Sequence, residues 1–204
     1  MFIKMLLIAT TVLSTLILLV FSTPRVINQE EKVEIPTIEV WINDSINKLK
    51  GMQWKREPDG QPFRIAARDR SCNVVVHFPS GQSYKIWTNT LFLGRKDETV
   101  SLIQIVPLKR RVTFIESVHT MQQIMTDLQV RENPKIPVPV NELAKIKPRE
   151  DIPALYATGG RIEKSIGARV VTNYDQTLKG WYVVLDITVP KLYGIHKEFI
   201  ESDD

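Results

Sequence analysis

Cysteine is nearly absent from this 204-residue chain: Cys72 stands alone. An internal disulfide is therefore excluded, and so is any cysteine-rich metal cluster. Three histidines are too few for most metal sites. Gly159-Gly160 lacks the following Gly-Lys-Ser or Gly-Lys-Thr of a phosphate-cradling loop. The G-x-G-x-x-G spacing is missing too, as is the G-x-S-x-G elbow of serine hydrolases. No internal repeat is visible. Charge is lacking altogether between Met5 and Phe21.

That uncharged run, MLLIATTVLSTLILLVF, spans 17 residues. At about 1.5 Å per residue a helix of this length covers roughly 26 Å. With Phe2, Ile3, Ser22 and Thr23 added it approaches the roughly 30 Å of a hydrocarbon core. The run exceeds the usual signal-peptide core, and Val20-Phe21-Ser22 is a poor cleavage site. The expectation is a transmembrane helix acting as signal-anchor over residues 1–22, with secretion after cleavage near Ser22 as the alternative. No cysteine flanks the run, so a lipoprotein anchor is excluded. A short tail with Lys4 inside predicts an inner-membrane, single-pass protein with its bulk in the periplasm or exterior. Residues 23–36 then form a juxtamembrane stalk, 37–193 an extracytoplasmic domain, and 194–204 an acidic tail.

About 43% of the residues are hydrophobic and 25% charged, ordinary values for a globular domain. Net charge is +4 but uneven: residues 48–111 hold 13 Lys/Arg against 5 Asp/Glu. Such a section reads first as a solvated face, and otherwise as a contact for anionic lipid, an acidic partner or nucleic acid. Nucleic acid is not expected, because the basic residues spread over several loops and the domain is read as exported.

The fold class expected is α+β: an antiparallel meander with two amphipathic helices on one face and a closing hairpin. Ile38, Trp41, Ile42, Ile46 and Leu49 recur at helical spacing, with Thr37 as cap and Gly51 as stop, which predicts the first helix. Residues 52–62 read as a loop, and Phe63–Ala67 as a short strand. Asn73–Phe78 and Ser83–Thr88 make a hairpin around Pro79-Ser80-Gly81-Gln82. Leu91–Leu93 and Thr99–Val106 make another around Gly94–Glu98, the last strand lying inside the sheet. Thr113 and Glu116 form a capping box for the second helix. Phe114, Val118, Met121, Met125 and Leu128 line its buried stripe. Residues 133–153 hold five of the twelve prolines, marking an extended link or subdomain break with a short helix at Asn141–Lys147. Arg169–Tyr174 and Trp181–Val189 close the domain as a hairpin, in which Asp186 needs either water or a donor.

Few residues invite chemistry. Cys72 opens an apolar strand and reads as a buried small hydrophobe; otherwise it is a nucleophile or an intermolecular disulfide partner. Cys72 and His77 point to opposite faces of a strand and cannot pair. Glu116, His119, Gln123 and Asp127 share a helix face that reads as solvated. No metal and no cofactor is expected. The tryptophans could line a groove: Trp54 and Trp87 are the surface candidates, with Lys85 on the face of Trp87, while Trp41 and Trp181 read as core. The expectation is a non-catalytic protein-binding domain contacting an acidic partner through Trp54, Arg56, Trp87, Arg95, Lys96, Lys109, Arg110 and Arg111. An envelope assembly subunit or an immunity-type toxin inhibitor fits this reading. The alternative is a small cell-envelope hydrolase using Cys72 or His119.

Overall fold

Two-residue alternation, not helical periodicity, governs the segment after Pro36. Ile38, Val40 and Ile42 are all buried, while Glu39 and Trp41 between them are half-exposed. Thr37, Ile38 and Val40 are β-branched and suit an extended backbone. The result is strand β1 (Thr37–Trp41), where the first amphipathic helix was expected. Val40 decides between the two periods: it lies off the helical stripe, yet it is fully buried. Asn43, at φ 61°, turns the chain, and one 3-10 turn follows at Ile46–Lys48 with Ser45 as its cap. The chain then doubles back on β1. Glu39 N–H donates to the Lys50 carbonyl at 2.9 Å and Lys50 N–H to the Glu39 carbonyl at 3.1 Å. Gly51 (φ 87°) closes this return rather than a helix, and a Cβ there would lie 2.0 Å from the Thr37 carbonyl oxygen.

The computed structural model describes residues 35–51, 71–136, 138–150 and 155–190, within one compact unit, Ile35–Asp204. Strands β2 (Cys72–His77) and β3 (Ser83–Thr88) form the expected hairpin. β1 joins them in a three-stranded sheet of order β1-β2-β3. It runs parallel to β2, with Ile38 opposite Val74 and Val40 opposite Val76.

The larger sheet holds β4 (Leu91–Lys96), β5 (Thr99–Ile105), β6 (Arg131–Glu132), β7 (Leu155–Glu163), β8 (Ile166–Asp175) and β9 (Gly180–Thr188). Its order is β4-β5-β9-β8-β7-β6, antiparallel throughout. β4 runs on through Arg95 and Lys96, so the turn narrows to Asp97 and Glu98, with Asp97 at φ 54°. β5 lies inside the sheet as expected, between β4 and β9. β7 was not foreseen. Its two glycines have a packing role: a Cβ on Gly160 would sit 1.8 Å from the Arg131 carbonyl oxygen of β6. The hairpin β8–β9 forms as expected, with Tyr174 opposite Trp181. Asp186, only 2% exposed, receives the donor that burial demands. Gln104 Nε2 donates to it at 2.8 Å, and Arg169 Nη1 lies at 3.7 Å.

Helix α1 (Phe114–Asp127) begins with the foreseen capping box. Glu116 N–H donates to Thr113 Oγ1 at 3.2 Å, and Thr113 N–H donates to Glu116 Oε2 at 2.8 Å. The expected stripe from Phe114 to Leu128 is buried. α1 also buries Ser117, whose Oγ accepts from Thr172 Oγ1 of β8 at 2.8 Å. The helix in the proline-rich segment, α2 (Val140–Leu143), is a single turn. One buried cluster joins Ile38, Val40, Val74 and Val76 of the small sheet to Ile103, Leu185 and Ile187 of the large sheet and Val118 and Met121 of α1.

The expected fold class is therefore corrected. The described residues are mostly β, in two sheets, with one amphipathic helix where two were expected. The second place is taken by a small mixed sheet. The expected transmembrane helix and signal-anchor also lack a counterpart. No helix among the described residues is long and apolar enough to cross a membrane. α1 has 14 residues and a polar outer face. The run Met5–Phe21 and the strand foreseen at Phe63–Ala67 lie outside the described residues.

Candidate partner-binding face

Strand alternation divides the small sheet cleanly. Cys72, Val74 and Val76 of β2 point inward and are buried. Asn73, Val75 and His77 point outward, beside Glu39 and Trp41 of β1 and Ser83, Lys85 and Trp87 of β3. Register sets these in three rows: Trp41–His77–Ser83, Glu39–Val75–Lys85 and Thr37–Asn73–Trp87. The two tryptophans thus occupy diagonal corners, with Val75 at the centre.

Cations and rings are interleaved on this face. Trp41 and His77 stack with centroids 4.3 Å apart and planes at 15°. His77 Nε2 lies 3.1 Å from Glu39 Oε2. Lys50 Nζ stands 5.3 Å from the Trp41 ring centre, and Lys109 Nζ 4.9 Å from that of Trp87. Trp87 Nε1 is buried with no hydrogen-bond partner. The three rows hold one lysine, Lys85, and one acid, Glu39; Lys50 and Lys109 reach the two rings from outside the rows and add positive charge there.

The structure separates the residues singled out from the sequence. It brings Trp87 together with Lys109, and Lys85 shares their face as expected. The run Lys109-Arg110-Arg111 is not one patch. Arg111 Nε and Nη2 donate to Asp175 Oδ2 at 3.0 and 2.7 Å, and its guanidinium lies 4.4 Å from the Tyr182 ring centre. Arg110 is exposed. Arg95 Nη1 donates to Glu98 Oε1 at 2.8 Å, and Lys96 ends β4 in the other sheet. Trp54 and Arg56 lie outside the described residues. Trp41 belongs to the outer face and not to the core; the alternation of Ile38, Val40 and Ile42 was the signal for it. Trp181 is a core residue as expected, 1% exposed and 4.8 Å from Phe114, centre to centre.

Several ionisable groups elsewhere are engaged with local partners. Backbone donation from Leu178, then Arg111, holds the Asp175 carboxyl below its usual range. Donation from the Lys48 side chain, then from Ser45 N–H, does the same for Asp44. Thr113 lowers Glu116 through the capping box, backbone N–H first. Burial, reinforced by Asp127, pushes Tyr84 up to about 12. Burial also raises the Cys72 thiol, which keeps it protonated. His119 is exposed on the outer side of α1. Among the described residues no three His, Cys, Asp or Glu side chains converge as metal ligands. A shallow groove of about 350 Å³ lies beside the end of α1. Its one carboxylate, Glu132, is already committed to Val140 N–H at 2.8 Å and Thr158 Oγ1 at 2.6 Å.

No protein-family model matches this chain, and no curated protein or solved structure is significantly similar to it.

Proposed function

We propose that this chain is a non-catalytic protein-binding domain working on the extracytoplasmic side of a cell envelope, and that its partner presents an acidic surface. The outer face of the small sheet carries the reading. It combines two tryptophans, three lysines and a histidine on a rigid β scaffold. Tryptophan is among the residues that carry most of the binding energy at protein interfaces. The excess of lysine over acid supports a partner of opposite charge. The uncharged run Met5–Phe21 supports delivery to the envelope. The reading covers an envelope assembly subunit and an immunity-type inhibitor alike.

The hydrolase alternative, with Cys72 or His119, draws less support. The Cys72 thiol faces the core and is held protonated by burial. His119 stands on α1 beside Glu116, whose carboxylate is engaged with Thr113. A photo-crosslinking amino acid at Lys85, introduced into the full chain in its native cells, tests the reading. The expected product is one dominant adduct with another protein, weakened by raising salt from about 0.05 to 0.5 M. No specific adduct, together with hydrolysis of a peptidoglycan or peptide panel by the purified chain, would overturn it.

A further inference from the structure

The face has dimensions as well as charge. Trp41 and Trp87 are separated by two strand steps, about 10 Å, and four residues along the strands, about 13–14 Å. Their diagonal is therefore roughly 16–17 Å. An extended chain repeats the same side every two residues and advances about 13–14 Å over four. Side chains at positions i and i+4 of an extended segment therefore reach both rings, the large indoles spanning the remaining few ångströms. Position i+2 falls over Val75, next to Lys85 in the same row. Lys50 stands at the Trp41 corner and Lys109 at the Trp87 corner. Of the acids in the three rows only Glu39 is present, and His77 lies 3.1 Å from it.

Building on the reading of this face as a partner surface, we infer that its occupant is an extended acidic peptide segment. Two apolar side chains four residues apart rest on Trp41 and Trp87, an acid between them meets Lys85, and acids outside them meet Lys50 and Lys109. The pattern is acid-x-apolar-x-acid-x-apolar-x-acid. Lys109 now lies over the Trp87 ring, and the Trp41 ring stacks on His77 with Lys50 over it. Incoming carboxylates are stronger partners for the two ammonium groups than the rings, so docking draws Lys109 and Lys50 aside and frees ring surface for the apolar anchors.

The probe is a fluorescein-labelled nine-residue peptide, Glu-Ser-Leu-Ser-Glu-Ser-Leu-Ser-Glu, titrated with the purified full chain. Two controls accompany it, one with lysine for glutamate and one with the leucines three residues apart. The expected result is binding at least ten times tighter than either control. Lys85→Glu, at an exposed position that leaves the fold intact, should weaken it at least tenfold. Trp41→Ala and Trp87→Ala should each weaken it at least fivefold. Equal binding of the lysine control, or unchanged affinity in both tryptophan variants, overturns the inference. Lys85-dependent binding to phosphatidylglycerol vesicles without peptide binding also overturns it, in favour of an anionic lipid surface. A protein adduct from Lys85 without peptide binding overturns this inference alone and leaves the face as a binding surface; loss of both removes the two together.

Discussion

Replacing each of two tryptophans by alanine separates the stabilising interior of this domain from its outer face. Trp181 is 1% exposed. Its ring lies 4.8 Å from Phe114, 5.3 Å from Tyr174 and 5.8 Å from Tyr156, and its Nε1 donates to Glu150 Oε1 at 3.3 Å. Removing so large a buried side chain costs about 3–5 kcal/mol. Trp41 stands on the outer face instead. Its loss removes the stack on His77, worth about 0.5–1.5 kcal/mol, and an exposed cation–π contact with Lys50, worth about 0.5–1 kcal/mol. The expected cost is thus about 1–2.5 kcal/mol, below that of Trp181. At about 2–4 °C per kcal/mol for a domain of this size, Trp181→Ala lowers Tm by roughly 6–20 °C and Trp41→Ala by roughly 2–10 °C. Urea unfolding followed by far-ultraviolet circular dichroism reads both, since the backbone signal survives loss of either indole. The urea m-value should stay unchanged. If Trp41→Ala costs as much as Trp181→Ala, Trp41 is a core residue and the outer face of the small sheet is not a free surface.

Three further outcomes follow from the packing. Gly160→Ala places a Cβ 1.8 Å from the Arg131 carbonyl oxygen, so it should cost about 1–3 kcal/mol and speed hydrogen exchange first at the β6–β7 pairing; wild-type exchange there would contradict the close approach. Asp175 has a lowered carboxyl in the folded chain. Its contribution is complete above the unfolded value of about 3.9 and disappears as pH falls through the lower folded value. Asp175→Asn should therefore flatten the fall of Tm between about pH 4 and 2, and an unchanged acid limb would refute this role. Cys72 is buried and its thiol raised, so a thiol reagent should label it slowly in the native chain and at once in about 8 M urea. Fast native labelling would show an accessible thiol.

Elements governed by local signals were legible in the sequence. The Thr113–Glu116 box started α1 where expected, because both partners lie within one turn. The hairpins β2–β3 and β8–β9 were likewise fixed by short polar turns between alternating strands. β1 was misread because Ile38, Ile42, Ile46 and Leu49 satisfy a helical period as well as a strand period up to Ile42. Only the burial of Val40, which depends on β2 some 36 residues later, separates the two. β7 was hidden by Gly159 and Gly160, which look like loop formers until β6 and β8 crowd against them. For the site, Trp87 and Lys85 shared a face by simple alternation. The docking of Lys109 on Trp87 and of Arg111 on Asp175 joins residues far apart in sequence, and no local pattern carries such contacts.

The position of β9 has a consequence for biosynthesis. It lies between β5 and β8 in the large sheet, yet its residues 180–188 come later in sequence than every other described strand. As the chain emerges in order, the β4–β5 hairpin and the β7–β8 hairpin can each form early, but no strand pairing joins one to the other. Both keep an unpaired edge until β9 is inserted between them, and the cluster around Ile103, Leu185 and Ile187 stays open to solvent. Vectorial synthesis thus leaves this domain assembling in one late step, and a stall before residue 180 strands two sticky half-sheets.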